Sequence, residues 1–451
     1  MDLHADAKHG WLDRPISDWL PKFNLDALLV ILILALTIAS RFIGLGDRVM
    51  SHDEVNHVVP SFDLYQGRGY RHDPVTHGPL QFHLIAFTYF LFGDNDFTSR
   101  IPAALFSAAA VAFVLIAYRR YLGRTGALVG GLLFMISPFM LFYGRYTRNE
   151  GLIELLGVVM LYAVLRYLET GRHTQLYLLT ISLALHFTAK ETSYIYTAQL
   201  LLFIAIIFLG RMITIPWQNR ISRDRFLWMM LAAIAGLLVA LGIAVINAAA
   251  GGSSEGETAT SASVLAGEVI ALAVSLVLAL IGLLTLIRHQ GWGIIRAERS
   301  FDVLVLVGTL ILPQLTAFPV KIVGWDPLNY QTDGLFRTGI FLVVLSAAAI
   351  VVGLWWRPNL WLKNAAIFYA IFTLFYTTFF TNGQGFFTGM VGSLGYWLSQ
   401  QGVERGSQPW YYFMVVQVPV YEFLAAIGTL TALYFGVRYR KMITWGGHAP
   451  A

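Results

Sequence analysis

The sequence predicts an all-α, polytopic membrane protein with about 12 transmembrane helices and juxtamembrane helices in its first outer loop (the count follows from helix-length windows). Three observations predict it. Of 451 residues, 57% are hydrophobic and 13% charged, well under the roughly 25% charge of a soluble domain. Mean hydropathy is +0.63. Apolar windows also recur along the chain, each near the about 20 residues that cross a bilayer as a helix. The net charge of +5 is modest and gives no reason to expect nucleic acid as a partner. Cysteine is absent, which excludes disulfide frameworks, thiolate metal sites and cysteine nucleophiles.

The windows lie at 25–45, 97–118, 126–144, 150–168, 175–189, 192–210, 226–249, 264–287, 301–318, 336–355, 364–381 and 411–437. The first follows a polar segment and lacks a small-residue cleavage pattern, so it reads as an uncleaved helix. The run 80–93 is shorter and flanked by His77, Pro79 and Asp94. It reads as juxtamembrane or re-entrant; as a full span it shifts the later topology by one.

Basic loops orient the chain. With a cytoplasmic N-terminus, one side holds Arg119, Arg120, Arg166, Arg211, Arg288, Arg296, Arg357, Arg438 and Lys441. The other holds Asp53, Glu54, Asp94, Glu150, Glu191, Glu255, Asp326 and Glu404. The expectation is a plasma-membrane protein with both termini cytoplasmic and a single transmembrane domain over 1–451. Its long outer segments are 46–100 and 382–410. Ala250–Ser263 is small and polar, and reads as flexible. There is no clear internal repeat of the kind many transporters carry.

Three outer turns concentrate chemistry. In the first, Ser51-His52-Asp53-Glu54 stands at the membrane boundary, where partial desolvation makes a carboxylate more basic. Such a group can take a proton from a hydroxyl or ligate Mg²⁺ or Mn²⁺; the alternative is a solvated acidic turn capped by Ser51. His52, His57, His72, His77 and His83 invite a zinc reading, but no H-E-x-x-H pattern supports it. In the second, Arg145, Arg148 and Glu150 share one turn, and Glu154 lies about one helical turn deeper. Ionisable groups at that depth face a cavity or a partner; a purely structural Arg–Glu pair is the alternative. In the third, Lys190 either offers a point charge to phosphate or pairs with Glu191 while snorkelling. At the start of the last span, Trp410 and Tyr411 suit an interfacial belt or the wall of a sugar site. Glu422, deeper in that span, either partners an arginine or lines a cavity.

Asp53-Glu54, His77-Gly78-Pro79-Leu80, Arg148-Asn149-Glu150 and Ala189-Lys190-Glu191, in this order, resemble the GT-C superfamily of polyprenyl-phosphate-sugar-dependent glycosyltransferases. That group includes protein O-mannosyltransferases and lipid A aminoarabinose transferases. With Gln408-Pro409-Trp410-Tyr411-Tyr412, the layout looks closest to the flippase-activity-associated branch of bacteria and archaea. The resemblance implies transfer of a sugar from a polyprenyl-phosphate donor to a protein, lipid or glycan acceptor at the outer face. It implies Asp53 as catalytic base or metal-binding carboxylate, supported by Glu54, and Glu150 in a second acidic position that relatives often fill with Asp. A divalent cation between Asp53 and Glu150 is the one cofactor it suggests. Lys190 then binds the donor phosphate, with Arg145 or Arg148 beside it, and His77 helps position the donor or the first outer loop. Gly78 stands where the family's motif has proline. Two other classes stay open on the residues alone: a lipid-linked sugar flippase or transporter using Glu154 and Glu422, and a non-catalytic partner in a membrane glycosylation complex.

Overall fold

The computed structural model describes residues 24–250, 260–400, 403 and 408–438. Of the expected flexible stretch Ala250–Ser263, residues 251–259, including Glu255, lie outside them, as do Glu404 and Lys441, while Ala250 and residues 260–263 are helical. The described residues form helices and no strand.

The helices run α1 (Leu25–Phe42), α2 (His52–Tyr65), α3 (Leu80–Phe92), α4 (Asp96–Ala117), α5 (Arg119–Ile136), α6 (Pro138–Tyr143), α7 (Glu150–Thr170) and α8 (His173–Ala189). They continue as α9 (Ser193–Thr214), α10 (Arg220–Ala250), α11 (Thr260–Gln290), α12 (Trp292–Ala297), α13 (Arg299–Ile311), α14 (Ala317–Ile322), α15 (Thr332–Trp356) and α16 (Pro358–Tyr376). Short helical pieces follow, and the last helix is α17 (Phe423–Arg438).

Among the described residues, seven helices are long and apolar enough to cross a membrane. The count is eight if Val415–Tyr421 and Phe423–Arg438, bent by 99°, form one broken span. The windows over α5, α8 and α16 fold as helices outside that group: α5 breaks at Gly123, with φ of +71°, and α8 has 17 residues. The window over α10 folds as a helix of 31 residues, part of whose side chains lie outside what is described.

The core lies where α7, α8, α13 and α16 meet, around Tyr167, Leu183, Phe187, Leu306, Phe368 and Phe372. The α15 span is only 11% buried, against 61% for Arg299–Ile322. A helix facing lipid tails needs no protein cover for its apolar side chains, so α15 reads as peripheral and the α13–α14 segment as central.

Two ends of the bundle differ in chemistry. At the basic end, Arg119 meets Asp26 at 2.6 Å and Arg166 meets Glu169 at 2.6 Å. Arg299 donates to the Leu168 and Glu169 carbonyls at 2.9 and 2.6 Å. Asp302 accepts from Tyr167 Oη, Trp356 Nε1 and Arg357 at 2.5, 2.8 and 3.2 Å. The opposite end, the loop end, carries the first long loop and the candidate site.

The 80–93 run does not cross. A 13-residue helix spans roughly 20 Å, short of the about 30 Å hydrocarbon core. Both of its flanks also sit at the loop end. A Cβ on Gly78 would lie 2.2 Å from the Thr188 carbonyl oxygen, where α8 ends. Beyond the far end of α3, Arg100 in the second turn of α4 reaches Glu54 and the Leu45 carbonyl at 2.8 Å each.

Candidate functional site

The first loop is built on Glu54. Ser51 and Glu54 form a capping box that starts α2, satisfying backbone donors that the first helical turn leaves open. Glu54 is fully buried and receives five hydrogen bonds: Arg100 Nε at 2.8 Å and Nη2 at 3.1 Å, Arg48 Nη2 at 2.9 Å, the Thr147 amide at 3.0 Å and the Ser51 amide at 3.1 Å. Burial pushes its carboxyl up, but the bonds from Arg100, Thr147 and Ser51 outweigh that and hold it below the usual carboxylate range. The sequence pairs Glu54 with Asp53 as a functional carboxylate. The structure turns the two apart, because consecutive helical residues face different ways. Glu54 anchors the loop to α4 and to the Arg145–Glu150 turn, and it has no free oxygen to offer a substrate.

Asp53 lies on the other side, half exposed, with Arg148 Nη1 at 2.9 Å. Arg148 Nε is 3.8 Å from Glu150 Oε2, and Glu150 Oε1 receives Lys190 Nζ at 2.5 Å. The three turns singled out in the sequence thus meet in one chain of alternating charge: Asp53, Arg148, Glu150, Lys190. Glu150 opens α7, and Lys190 caps α8 in an extended conformation before α9 begins. The side chains meet because both turns are short and the ends of α7 and α8 pack side by side.

A parallel pair leaves the next residue of the same turn. His77 Nδ1 is 2.7 Å from Glu191 Oε2. His77 has φ of +72°, a left-handed conformation that is uncommon outside glycine. The close approach of Gly78 to Thr188 explains glycine in the motif's second place, since any side chain there would strike the α8 backbone. The His57 ring stacks on His77 with centroids 6.2 Å apart. Burial, then the charges of His77 and Arg148, push the His57 imidazole down to about 3, so it stays neutral.

Other expected site residues have different tasks. Arg145 donates to the carbonyls of Ser40, Arg41 and Gly44 at 2.7, 3.1 and 3.1 Å. It closes the C-terminal end of α1, where backbone acceptors lack partners, and does not join the charge chain. Glu422 accepts from Ser137 Oγ at 2.8 Å and the Phe139 amide at 3.0 Å, so it caps α6 and, among the described residues, partners no arginine. Tyr411 is half exposed near the start of the last span; the Trp410 side chain lies outside what the structure describes. Glu154 is one turn below Glu150, with neither oxygen hydrogen-bonded.

Among the described residues, no group of three or more His, Asp or Glu could hold a metal ion. The zinc reading fails on particulars. His72 Nδ1 is 2.8 Å from Thr388 Oγ1, and His83 Nδ1 donates to the Pro79 carbonyl at 2.8 Å. The Mg²⁺ or Mn²⁺ reading meets a different obstacle. The Arg148 guanidinium is paired with both Asp53 and Glu150, so a cation bridging them would have to displace it. The residues as arranged do not fit a bridging cation, and no step is routed through one.

Two site residues escape sequence reasoning. Arg100 carries the visible signal, an arginine about one turn into an apolar span, which calls for a partner. Glu191 carries none, because its neighbour Lys190 offers an equally good local partner.

Fold and site together define a helical membrane protein with a charged, partly buried cluster at one end of its bundle. Residues 76–245 are similar to the family of dolichyl-phosphate-mannose-protein mannosyltransferases. The match takes in His77, Arg148, Glu150, Lys190 and Glu191, and it begins after Asp53. No curated protein and no solved structure matches the chain.

Proposed function

We propose that the protein transfers a sugar from a polyprenyl-phosphate donor to an acceptor at the outer face of the plasma membrane. The observation that carries this reading is the convergence of Asp53, Arg148, Glu150 and Lys190 in one cluster. The basic end, with Arg119, Arg166, Arg299 and Arg357, then faces the cytoplasm together with both termini.

In this reading the donor's prenyl tail lies among the helices and its phosphate enters the cluster. The phosphate competes for Lys190 and Arg148, and the loss of Arg148 frees the Asp53 carboxylate. Asp53 takes the proton of the acceptor hydroxyl as its oxygen attacks the anomeric carbon. The bond from that carbon to the phosphate oxygen breaks, and its electron pair stays on the phosphate. Lys190 and Arg148 stabilise the charge that grows there, an interaction stronger in the transition state than in the bound donor. Glu150 holds Lys190 in place until the donor arrives.

A second reading rests on Glu154, whose unpartnered carboxylate inside a span suits a flippase that handles an intact lipid-linked sugar. Radiolabelled lipid-linked sugar separates the two: transfer to an acceptor supports the enzyme, and movement of intact donor between leaflets supports the flippase. Asp53→Asn should abolish transfer in a protein that inserts and melts normally. Full activity in that variant removes Asp53 from the mechanism.

A further inference from the structure

The fixed charges of the site do not cancel. Asp53, Glu150 and Glu191 are carboxylates, and the permanent cations paired with them are Arg148 and Lys190. Arg148 serves Asp53 and Lys190 serves Glu150. Glu191 is left with His77, and its second oxygen, Oε1, is buried without a partner. The His77–Glu191 pair is held from both sides, by the left-handed His77 backbone and by Gly78 seated on Thr188. With Nδ1 against Glu191, the free nitrogen of the ring is Nε2, on a side chain that is 28% exposed.

We propose that His77 binds the donor's phosphate as an imidazolium, that Glu191 is the positioning residue holding it in that state, and that seating the phosphate draws a proton onto His77. This rests on the glycosyltransferase reading and names how its site accepts an anion. With three carboxylates and two cations, the cluster repels an entering phosphate while His77 is neutral; one added proton removes that excess. Only the protonated ring donates from both nitrogens, so Nδ1–H serves Glu191 while Nε2–H serves the phosphate. During transfer, the acceptor's proton still goes to Asp53. The electron pair of the broken bond goes to the phosphate, whose added charge Lys190 and His77 meet together.

Several titratable and charged groups face the pair. Lys190 stands beside it on the turn, His57 comes from α2 and His72 from the same limb of the first loop. Tyr194 of α9 and Tyr376 of α16 face Glu191, and through His57 come the charges of Arg148 and Glu150. Burial, with His77 nearby, pushes both His57 and His72 down to about 3, so neither takes up the proton near neutral pH.

Calorimetry of polyprenyl phosphate binding to the full-length protein in detergent tests this. Repeating it in buffers of different ionisation enthalpy reads the protons taken up. Wild type should take up a proton on binding. His77→Gln should lose that uptake and bind roughly tenfold more weakly, the scale of one charge-assisted hydrogen bond. Glu191→Gln should also bind more weakly and shift its uptake to lower pH, and Glu191→Asp should recover part of both. Asp53→Asn removes the carboxylate that competes with the phosphate for Arg148, so it should bind polyprenyl phosphate no more weakly than wild type even where transfer is lost, which separates a failure of the base reading from a failure of this one. Unchanged uptake in His77→Gln, or wild-type affinity in Glu191→Gln that melts normally, overturns the proposal. Wild type that binds no polyprenyl phosphate overturns the donor reading and this proposal with it.

Discussion

Ion pairs tie helices together at both ends of the bundle, yet the two sets differ in what they leave open. At the basic end, Asp302 is met by Tyr167, Trp356 and Arg357, while Glu169 receives Arg120 and Arg166. At the loop end, one buried oxygen of Glu150, one of Glu191 and two of Glu154 lack a hydrogen bond, although Arg148 lies 3.8 Å from that of Glu150. Among the described residues, these are the carboxylates with buried oxygens that lack a hydrogen bond. Native interiors satisfy most buried polar atoms, so incomplete satisfaction, more than charge itself, distinguishes the site from the scaffold. Glu54 sharpens the point: it sits at the loop end but is saturated like Asp302, and its role is architectural.

The comparison can be broken at several points. Lys190→Ala should cut the rate of transfer by about a hundredfold to a thousandfold, the scale for removing one preorganised electrostatic contact, measured as kcat with lipid-linked sugar. A change under threefold would place Lys190 with the scaffold. Arg100→Met removes the buried cation and two of the five hydrogen bonds of Glu54, leaving the more exposed Arg48, and should destabilise the fold by up to about 3–5 kcal/mol, read as a large drop in melting temperature in detergent.

Glu54 also predicts an acid dependence. Its carboxyl is held below the usual range in the folded protein. Its contribution is therefore complete above the unfolded carboxylate value and is lost as pH falls through the folded one. Melting temperature should decline over that acidic window, and Glu54→Gln should flatten the decline while lowering stability at neutral pH. The smallest effect belongs to the basic end. Asp26→Asn breaks a half-buried pair with Arg119 and should change stability by less than about 1 kcal/mol, as for surface-type pairs, with transfer unchanged.

Much of the site was legible as three separate turns. Asp53, Arg148, Glu150 and Lys190 stand out because ionisable groups are rare beside apolar windows, and each lies at a helix boundary. Arg145 and Glu54 have the same sequence signature, yet one caps α1 and the other anchors α2. Residue type and boundary position cannot separate these roles, because both are set by which way a side chain leaves its turn. The 80–93 helix was similarly ambiguous by length, and the positions of its flanks resolved it.

The sequence alone determined the membrane class, the helical fold and the grouping of charge at helix ends, because apolar windows and boundary charges are local properties that solvent and lipid read directly. Tertiary structure decided which charges became partners: Arg100 with Glu54, Lys190 with Glu150 and His77 with Glu191. Those pairings join residues from 40 to 114 positions apart. They depend on how α4, α7 and α8 pack against the first loop, and no local pattern in the chain encodes that packing.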